Sequence, residues 1–559
     1  MKTFKITKLM CMVLAVGILC TAVSSCGKGE VTDTVTENAS GLPLTDEKAE
    51  LSAFLTLHSN HAGVGITSLD EVSSVKALEE KTNVHIKWES PTLSNSADVL
   101  AQMLASGNYP DIIFGGSGNK MLRQSVAVIP LNDLIEQYGP NIKKVQEQFP
   151  DYAYFSKDES GKILSVNSYC PDLRFNGIWC TPMIRQDWLD QLNLPMPATQ
   201  AEWYETLKAF RDHDMNGNGD KSDEIPLCIY KDWPINYIAF WPLGITNDFY
   251  IEDGKVHHGF LEPQFIEGLV FMKKLYDEKL VDTEFLVQNI QQMEKKIQSN
   301  LAGACIAGAF NYGNEYKQLL KDRVPDYNMV VAGNLKAENG SRYSFAGNSF
   351  QRLSELGCYI TTSCKKTGLA MRWIDYLFSE EGGTLVQFGK EGESFDYDTN
   401  GKPQFRYDLL KDDKGNINAL NRSRYTLGGD GSYGTGFPHW DETLTRVDGK
   451  WQPVDKTMIF GSDAVFNSAY EAALEMDLSK LIPGENMLRY SGEELAEVNQ
   501  LMTDISKYID ETIAQIITGV QPLSAYEQAL ESVKRMDIER VLEIKQAAYD
   551  RIDKSILGQ

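Results

Sequence analysis

The chain has 559 residues, of which 42% are hydrophobic and 20 are proline, and its formal net charge is −24. This length and apolar content predict a globular chain with a large core divided between at least two lobes, and they exclude a disordered one. The strongly negative field disfavours polyanionic partners such as nucleic acid, because it repels phosphate.

The N-terminus is predicted to be an export signal, residues 1–25. Three lysines precede an apolar stretch over residues 9–22, which is shorter than the ~20 residues that span a bilayer. The following "VSSC" resembles a bacterial lipobox, which implies cleavage before Cys26 and lipidation of its thiol. The alternative is an ordinary signal peptide cleaved nearby. Residues 26–50 are polar and acidic without an apolar period, and they are predicted to be a flexible tether.

After the tether, short apolar runs alternate with helical patterns. A capping box at Ser68 opens a predicted helix through Lys81, "NVHIKW" is a predicted strand, and a helix over residues 97–105 leads to the strand "IIFGG". The alternation predicts an α/β fold with a parallel sheet covered on both faces. Ligands of such sheets bind at the carboxyl ends of strands, so Gly116 and Ser117 are candidate ligand-binding residues; a plain turn is the alternative.

Further along, a second capping box at Thr199 opens a helix whose aromatic stripe is assigned to the core. The run "LVFMKKLYDEKLVD" is a predicted amphipathic helix, and "GACIAG" is a predicted buried strand. Ser524 is predicted to cap a long C-terminal helix. His257 and His258 lack a companion zinc motif and are predicted to lie in a solvated turn.

The stretch "DMNGNGDKSDEIPL", residues 214–227, combines many side-chain oxygens with backbone-breaking glycines. Its first six residues match positions 1, 3, 5 and 6 of a calcium-binding EF-hand loop. Position 12 should be Glu, but it is Ile225, and Pro226 prevents an immediate second helix. We therefore predict an EF-hand-like structural calcium site between a helix and a strand. Magnesium fits less well because it prefers a water-rich octahedral site, and a polar turn without metal is the alternative. The candidate ligands are Asp214, Asn216, Asn218, Asp220, Asp223 and Glu224.

The cysteine spacing argues against a zinc site. Of nine cysteines, Cys11 and Cys20 leave with the signal and Cys26 would be lipidated, so six remain, none of them in Cys-x-x-Cys spacing. Six in a large exported chain do not make a disulfide framework. One bridge, for example between Cys170 and Cys180, stays open beside the alternative of free buried thiols.

Taken in order, these segments resemble the bacterial extracellular solute-binding lipoproteins, family 1, of ABC sugar importers. The likeness rests on the lipobox and tether, on "ALEEKTNVHIKW", on "IRQDWLDQLNLP" before the oxygen-rich loop, and on "FYIEDGKV" and "AMRWIDYLFSEEGGTLVQFGKEG". It covers nearly the whole mature chain. The loop departs from the family pattern in carrying Asp220-Lys221-Ser222 before Asp223, which leaves open whether Asp220 binds through its backbone or its side chain.

The resemblance implies a two-lobed clamshell of the type II periplasmic-binding-protein class, in which each lobe is a sheet flanked by helices. Residues 51–559 would form the binding domain. Lobe one would hold about residues 51–172 and 324–361, and lobe two about residues 173–323 and 362–559.

The resemblance also implies that aromatic rings in the cleft stack on sugar faces. This is physically sensible, because a flat ring buries the apolar C–H face of a sugar at little cost in side-chain entropy. For each ring a core role is the alternative. The rings in the matching segments are Trp179, Trp233, Trp241, Phe310 and Tyr312, whereas Trp88, Trp188, Trp203 and Trp373 are assigned to the core.

The function expected from these features is capture of a sugar or oligosaccharide and its delivery to the permease of an ABC importer, without chemical change. The protein would act as a lipid-anchored monomer on the extracytoplasmic face of the cell membrane. The negative field mildly favours a neutral ligand, although Arg185 could contact an acidic one; a structural salt bridge is its preferred role.

The alternative function is a secreted calcium-dependent glycoside hydrolase. It needs two carboxylates across the scissile bond. Glu391 and Asp441 could be proposed, but the chain has 78 acidic residues, so such a choice has little weight. The sequence contains no Gly-x-Ser-x-Gly run and no phosphate-binding P-loop, which favours a binding protein over an enzyme.

Overall fold

The structure is a computed structural model. The residues it describes all lie in the compact unit Val35–Gln559. Among them, no helix is both long and apolar enough to cross a membrane. The described residues are 41–115, 121–122, 125–158, 160–169, 180–230, 234–308, 313, 316–345, 353–397, 399, 401, 403–410, 419–427, 444–447, 450–453, 464–482 and 488–556.

The strands are numbered in chain order. They are β1 (Ala49–Phe54), β2 (Val84–Glu89), β3 (Ile112–Gly115), β4 (Val166–Tyr169), β5 (Thr181–Arg185), β6 (Ile225–Cys228), β7 (Phe249–Glu252), β8 (Lys255–His258), β9 (Ala302–Ala307), β10 (Met329–Val331), β11 (Arg342–Tyr343), β12 (Leu353–Ile360), β13 (Phe395–Tyr397), β14 (Pro403–Phe405), β15 (Leu444–Val447), β16 (Lys450–Pro453) and β17 (Met476–Asp477).

The described chain also contains α-helices. They are Ser59–Gly63, Ser73–Thr82, Leu93–Ser106, Asn132–Tyr138, Pro140–Gln148, Pro150–Phe155, Gln186–Leu192, Gln200–Asp212, Ile235–Ala239, Phe265–Asp277, Ile290–Gln298, Tyr316–Leu320, Thr367–Leu377, Glu380–Phe388, Ala464–Leu474, Gly492–Ile517, Ala525–Arg535 and Ile538–Asp550.

Two mixed sheets organise the described chain. The five-stranded sheet has the order β2-β1-β3-β12-β4, and the four-stranded sheet has the order β10-β5-β9-β6. In the first sheet β1 is parallel to β2 and β3, whereas β12 is antiparallel to β3 and β4. In the second sheet β6 is parallel to β9, and β5 is antiparallel to β9 and β10. The predicted α/β class is confirmed, but the sheets are mixed and not purely parallel, because one strand in each sheet, β12 in the first and β5 in the second, runs against its neighbours.

The core contains the tryptophans assigned to it from the sequence. Trp188, Trp203 and Trp373 are fully buried, and Trp88 is partly buried against the same core. Trp88, Phe114 and Trp373 form a ring cluster with centroids 6.0–6.4 Å apart. Rings at these separations add attraction beyond the area that they bury, so this cluster joins β2, β3 and the helix Thr367–Leu377.

Several local predictions hold and others are wrong. The Thr199 capping box is present, with both of its hydrogen bonds. The Ser68 box is also present, but it caps a 3₁₀ turn, and the helix proper begins at Ser73. Ser524 makes no capping hydrogen bond, because its own backbone is helical (φ −63°, ψ −15°). His257 and His258 lie in β8 of a hairpin with β7, and His258 is buried, so the predicted solvated turn is wrong.

The contacts of two segments bear on the predicted lobe boundaries, which stay a prediction. The strand β10, inside residues 324–361, pairs with β5 of the second sheet. The helices Thr367–Leu377 and Glu380–Phe388, inside residues 362–559, pack against helices that flank the first sheet. Their attachment is specific, because the carboxylate of Asp375 accepts hydrogen bonds from the first turn of the helix Pro140–Gln148.

The C-terminal helices pack on one another and on the helix Phe265–Asp277. Arg489, just before them, donates to the carbonyls of Tyr154 and Lys157 at 2.7 Å each. The described C-terminal segment is therefore tied both to the helix Phe265–Asp277 and to the helix that precedes β4.

Candidate functional site

One edge of the second sheet collects the ends of three strands. The parallel strands β6 and β9 are in register at Cys228 and Cys305, so their carboxyl ends lie at the same edge. The antiparallel β5 begins there, because Thr181 pairs with Ala307. In open α/β sheets, the carboxyl ends of parallel strands are where ligands bind.

Four of the five predicted cleft rings are close in sequence to the strands that form this edge. Trp179 precedes β5 by two residues, Trp233 follows β6 by five, and Phe310 and Tyr312 follow β9 by three and five. These four residues lie outside the described residues. The chain segments that carry them start or end at the same edge of the sheet.

The first sheet offers a matching edge. The carboxyl ends of β1, β2 and β3 lie together, and β3 ends at Gly115. A Cβ on Gly115 would lie 2.9 Å from the ring of Tyr359, so a glycine is required where these strands pack. Gly116 and Ser117 follow directly and lie outside the described residues.

Trp241 is the one predicted cleft ring that the structure describes. Its side chain is 4% exposed. The ring centroid lies 3.7 Å from that of Tyr237 and 5.9 Å from that of Phe345, and the indole N–H donates to Thr246 Oγ1 over 3.4 Å. In this arrangement the ring offers almost no face to a ligand, and the stacking role stays a prediction.

Arg185 has a structural environment. Its guanidinium is 1% exposed and forms a two-point contact with Asp187, from Nε at 2.8 Å and from Nη2 at 2.5 Å. Nη1 donates to Asn300, and the guanidinium lies over the rings of Trp188 and Tyr327. Such a paired, stacked arginine holds the start of a helix against its neighbours and is not available to a ligand.

The oxygen-rich loop is closed by its own side chains. The Asp214 carboxylate accepts hydrogen bonds from the backbone N–H groups of Gly217, Asn218 and Gly219. The amide nitrogens of Asn216 and Asn218 donate to the two oxygens of Asp223 at 3.0 and 2.6 Å. The positive φ values of the two glycines, 73° and 89°, let the backbone wrap around these side chains.

The two remaining candidate ligands of the loop differ in environment. The carboxylate of Asp220 is exposed and accepts hydrogen bonds from the N–H and hydroxyl of Ser222, which lower its pKa. Glu224 is buried, and its Oε1 accepts from the N–H groups of Met215 and Asn216. Glu224 Oε2 is buried without a hydrogen-bond partner, and burial raises the pKa of this carboxyl.

In the part of the chain that is described, the oxygen-rich loop included, no three His, Cys, Asp or Glu side chains come close enough together to hold a metal ion. Within the described residues, cysteines 180, 228, 305, 358 and 364 form no disulfide. Cys170 lies outside the described residues, so a bridge to Cys180 stays untested.

A buried polar network that no sequence pattern indicated lies beside the end of β6. Asp282 Oδ2 accepts from Lys296 Nζ at 2.7 Å and from Gln288 Nε2 at 2.8 Å. The same Gln288 nitrogen donates to the carbonyl of Ile229, the residue after β6. A glutamine between Val287 and Asn289 resembles a surface turn in sequence, and only the tertiary contacts reveal that it is buried.

The two mixed sheets, each with helices around it, define a type II periplasmic-binding-protein-like fold. Residues 72–384, more than half of the chain, match the family model described as bacterial extracellular solute-binding protein. The chain therefore belongs to this family of extracellular solute-binding proteins, as the sequence resemblance predicted.

Three characterised relatives are similar over parts of their length. The chain is 30% identical over 226 residues to the fructooligosaccharide ABC transporter substrate-binding protein FusA of Streptococcus pneumoniae, covering 38% of this chain and 41% of FusA. It is 26% identical over 58% of its length to lipoprotein LipO of Bacillus subtilis, covering 64% of LipO. It is also 26% identical over 57% of its length to the polygalacturonan/rhamnogalacturonan-binding protein YtcQ of the same organism, covering 62% of YtcQ. The matches thus span less than two thirds of each relative.

Solved structures share the fold over almost the whole chain. The FusA complex with kestose has a TM-score of 0.69 at 21% identity, covering 90% of this chain and 99% of FusA's. The alginate-binding protein AlgQ2 without calcium ion has a TM-score of 0.66 at 23% identity, covering 91% of this chain and 99% of that one. At these identities the likeness establishes the fold.

Proposed function

We propose that this protein captures a sugar or oligosaccharide between two lobes and delivers it unchanged to the permease of an ABC importer. The observation that carries the proposal is the gathering of strand ends at one edge of the second sheet, in a chain of the solute-binding family. The relatives support a carbohydrate ligand, because FusA is named for fructooligosaccharides and YtcQ for polygalacturonan and rhamnogalacturonan.

The ligand site follows from the two strand edges. Gly116 and Ser117 would contribute from the first sheet, and the rings after β6 and β9 from the second. Two lobes that close on a saccharide would desolvate it and hydrogen-bond its hydroxyls from both sides. The closed, loaded state would then differ in shape from the empty one, which a permease can recognise.

The lobe boundaries are best drawn around the sheets. We infer that lobe one includes the helices Thr367–Leu377 and Glu380–Phe388, which pack against the flanking helices of the first sheet. Lobe two would include β10, because this strand pairs with β5. The crossovers between the lobes would then precede β5 and follow β11.

The residues of the oxygen-rich loop fit a structural calcium ion. A hard divalent cation prefers carboxylate and amide oxygens, and Glu224 Oε2 is a buried carboxylate oxygen that lacks a partner. Asp214, Asn216, Asn218, Asp223 and Glu224 would hold the ion, with the asparagines presenting their oxygens. The Asp220 side chain is engaged by Ser222, which leaves its backbone carbonyl as the group for the ion. The bound ion would pin the end of the helix Gln200–Asp212 to the start of β6.

The attachment to the membrane is proposed from the lipobox-like segment at Cys26. The relative LipO is named as a lipoprotein, which supports this anchor. Lipidation at Cys26 and the tether after it would place the binding domain on the extracytoplasmic face of the cell membrane. A monomer suffices for this role, because one chain supplies both sheets.

A thermal-shift screen of saccharides tests the proposed function. A ligand that binds only the folded state stabilises it and so raises the melting temperature. At a ligand concentration 100 times the Kd, the free energy of unfolding increases by about 2.7 kcal/mol. We expect at least one neutral or acidic oligosaccharide to raise it, and monosaccharides outside the specificity to serve as controls. If no saccharide raises the melting temperature, a different solute must be sought and the carbohydrate assignment is wrong.

A further inference from the structure

The side-chain amide of Gln288 has a fixed orientation and a hydrogen-bond acceptor without a donor. Its Nε2 faces two acceptors, the carbonyl of Ile229 and Asp282 Oδ2, so turning the amide over would replace two hydrogen bonds by two repulsions. Its Oε1 is buried and accepts no hydrogen bond, although the side chain is only 2% exposed. Buried acceptors are normally hydrogen-bonded, so an unpaired one indicates that another molecule supplies the donor.

The amide is held from behind by charged groups. Asp282 is buried, and it receives Lys296 Nζ at 2.7 Å and, more weakly, the thiol of Cys228 at 3.5 Å. Lys296 also donates to Glu284 Oε2 at 2.6 Å. Because the carboxylate that orients the amide is itself fixed by an ammonium group, the direction of Gln288 Oε1 does not depend on solvent.

The fold places this amide at the ligand-binding edge of the second sheet. Val281 forms a parallel bridge with Leu227 of β6, and the N–H of Asp282 donates to the carbonyl of Leu227. The segment therefore runs alongside β6 in the same direction, and residues 282–288 follow it at the carboxyl end of the sheet. This is the edge at which β6 and β9 end and β5 begins.

We propose that Gln288 Oε1 accepts a hydrogen bond from a hydroxyl group of the bound saccharide. The inference rests on the proposed function and names a residue of that site. A hydroxyl suits the position, because the oxygen is neutral and accepts from an O–H without demanding a charged partner. An ordered water has the same chemistry, and the experiment separates the two sources.

The experiment uses the full mature chain with kestose and a galacturonate oligomer as probes. Calorimetry compares wild type with Gln288→Met, which keeps the side-chain length and removes the Oε1 acceptor together with the Nε2 donor to Ile229 and Asp282. The matched control is Gln291→Met, on the exposed face of the following helix Ile290–Gln298. We expect about a tenfold loss of affinity in Gln288→Met, the usual size for one hydrogen bond, and less than a twofold change in the control.

A crystal structure of the wild-type complex gives a second readout that does not depend on folding of the variant. The proposal expects a ligand oxygen about 2.7–3.0 Å from Gln288 Oε1. If wild type binds a probe but the variant binds equally well, or if only a water lies at Oε1, the inference is wrong and the proposed function stands. If wild type binds neither probe, the inference falls together with the carbohydrate assignment for these two ligand classes.

Discussion

Replacing Trp241 by alanine should destabilise the protein strongly, because this ring is part of the core. Burying a tryptophan removes roughly 150–250 Å² from water, which at about 25 cal/mol per Å² corresponds to roughly 4–6 kcal/mol. Compaction of the unfolded chain lowers this figure by roughly 10–40%. With 4% of the side chain exposed, we expect Trp241→Ala to lower the free energy of unfolding by about 3–5 kcal/mol, the usual cost of such a cavity.

The matched variant is Trp241→Phe. It keeps a ring between Tyr237 and Phe345 and loses the indole N–H bond to Thr246, which is long at 3.4 Å and therefore weak. We expect a loss of about 1–2 kcal/mol for this variant. Urea unfolding followed by far-ultraviolet circular dichroism measures both values, with equal slopes confirming that the same surface is exposed.

The same two variants decide between core and ligand platform. A loss below about 1 kcal/mol in Trp241→Ala would refute the core role. If, in addition, the folded alanine variant bound a saccharide far more weakly than wild type, the predicted stacking role of Trp241 would be supported. If Trp241→Phe binds as tightly as wild type while Trp241→Ala is destabilised, the ring acts only in packing.

Three further outcomes are expected. Cys26→Ala should release the protein from membranes or leave an unlipidated precursor, as fractionation and mass spectrometry would detect; membrane attachment equal to wild type would remove the lipoprotein assignment. Chelation should lower the melting temperature, and calcium should restore it better than magnesium. The melting temperature of Asp214→Ala should equal that of the chelated wild type, whereas that of Asp212→Ala, which lies outside the loop, should not. A melting temperature indifferent to chelator would leave the loop without metal. Burial raises the pKa of Asp375 to about 6, so the folded state holds a proton that the unfolded state loses near pH 4. The free energy of unfolding of wild type relative to Asp375→Asn should therefore be greatest below pH 4 and fall by about 3 kcal/mol as the pH rises through 6. Urea unfolding at pH 4, 5, 6 and 7 measures this difference. A difference that does not change with pH would contradict the burial argument.

Local signals predicted the elements that local interactions decide. The Thr199 capping box forms because both of its hydrogen bonds join residues within one turn. The hairpin of β7 and β8 also had a local signal, since Asp253 and Gly254 adopt positive φ at the turn, and Asp-Gly is a common turn pair for such hairpins. The solvated turn at His257 and His258 was therefore an avoidable error.

Other features depend on contacts that no local pattern encodes. Ser524 occupies the N-cap position of the helix Ala525–Arg535, as predicted, but its side chain makes no capping hydrogen bond. The chain already turns at Pro522, whose carbonyl accepts from the N–H of Ala525, and the hydroxyl of Tyr526 donates to the carbonyl of Phe260. The strand β10 pairs with β5, which lies more than 140 residues earlier, and no local pattern indicates this partner.

Some features of the candidate site also had a sequence signal, and others did not. The oxygen-rich loop could be identified from its spacing alone, yet the distinction between a solvent-facing Asp220 and a buried Glu224 needed the folded backbone. Gln288 carries no sequence signal, because its side-chain amide is fixed by Ile229, 59 residues earlier, as well as by the nearby Asp282.

The most direct test of the account is calorimetric titration of the mature chain with an oligosaccharide found by the thermal-shift screen, followed by prolonged incubation and mass spectrometry of the recovered ligand. A solute-binding protein should give one-site binding and return the saccharide with its mass unchanged. Recovery of shortened or otherwise altered saccharide would contradict the account and favour a glycoside hydrolase.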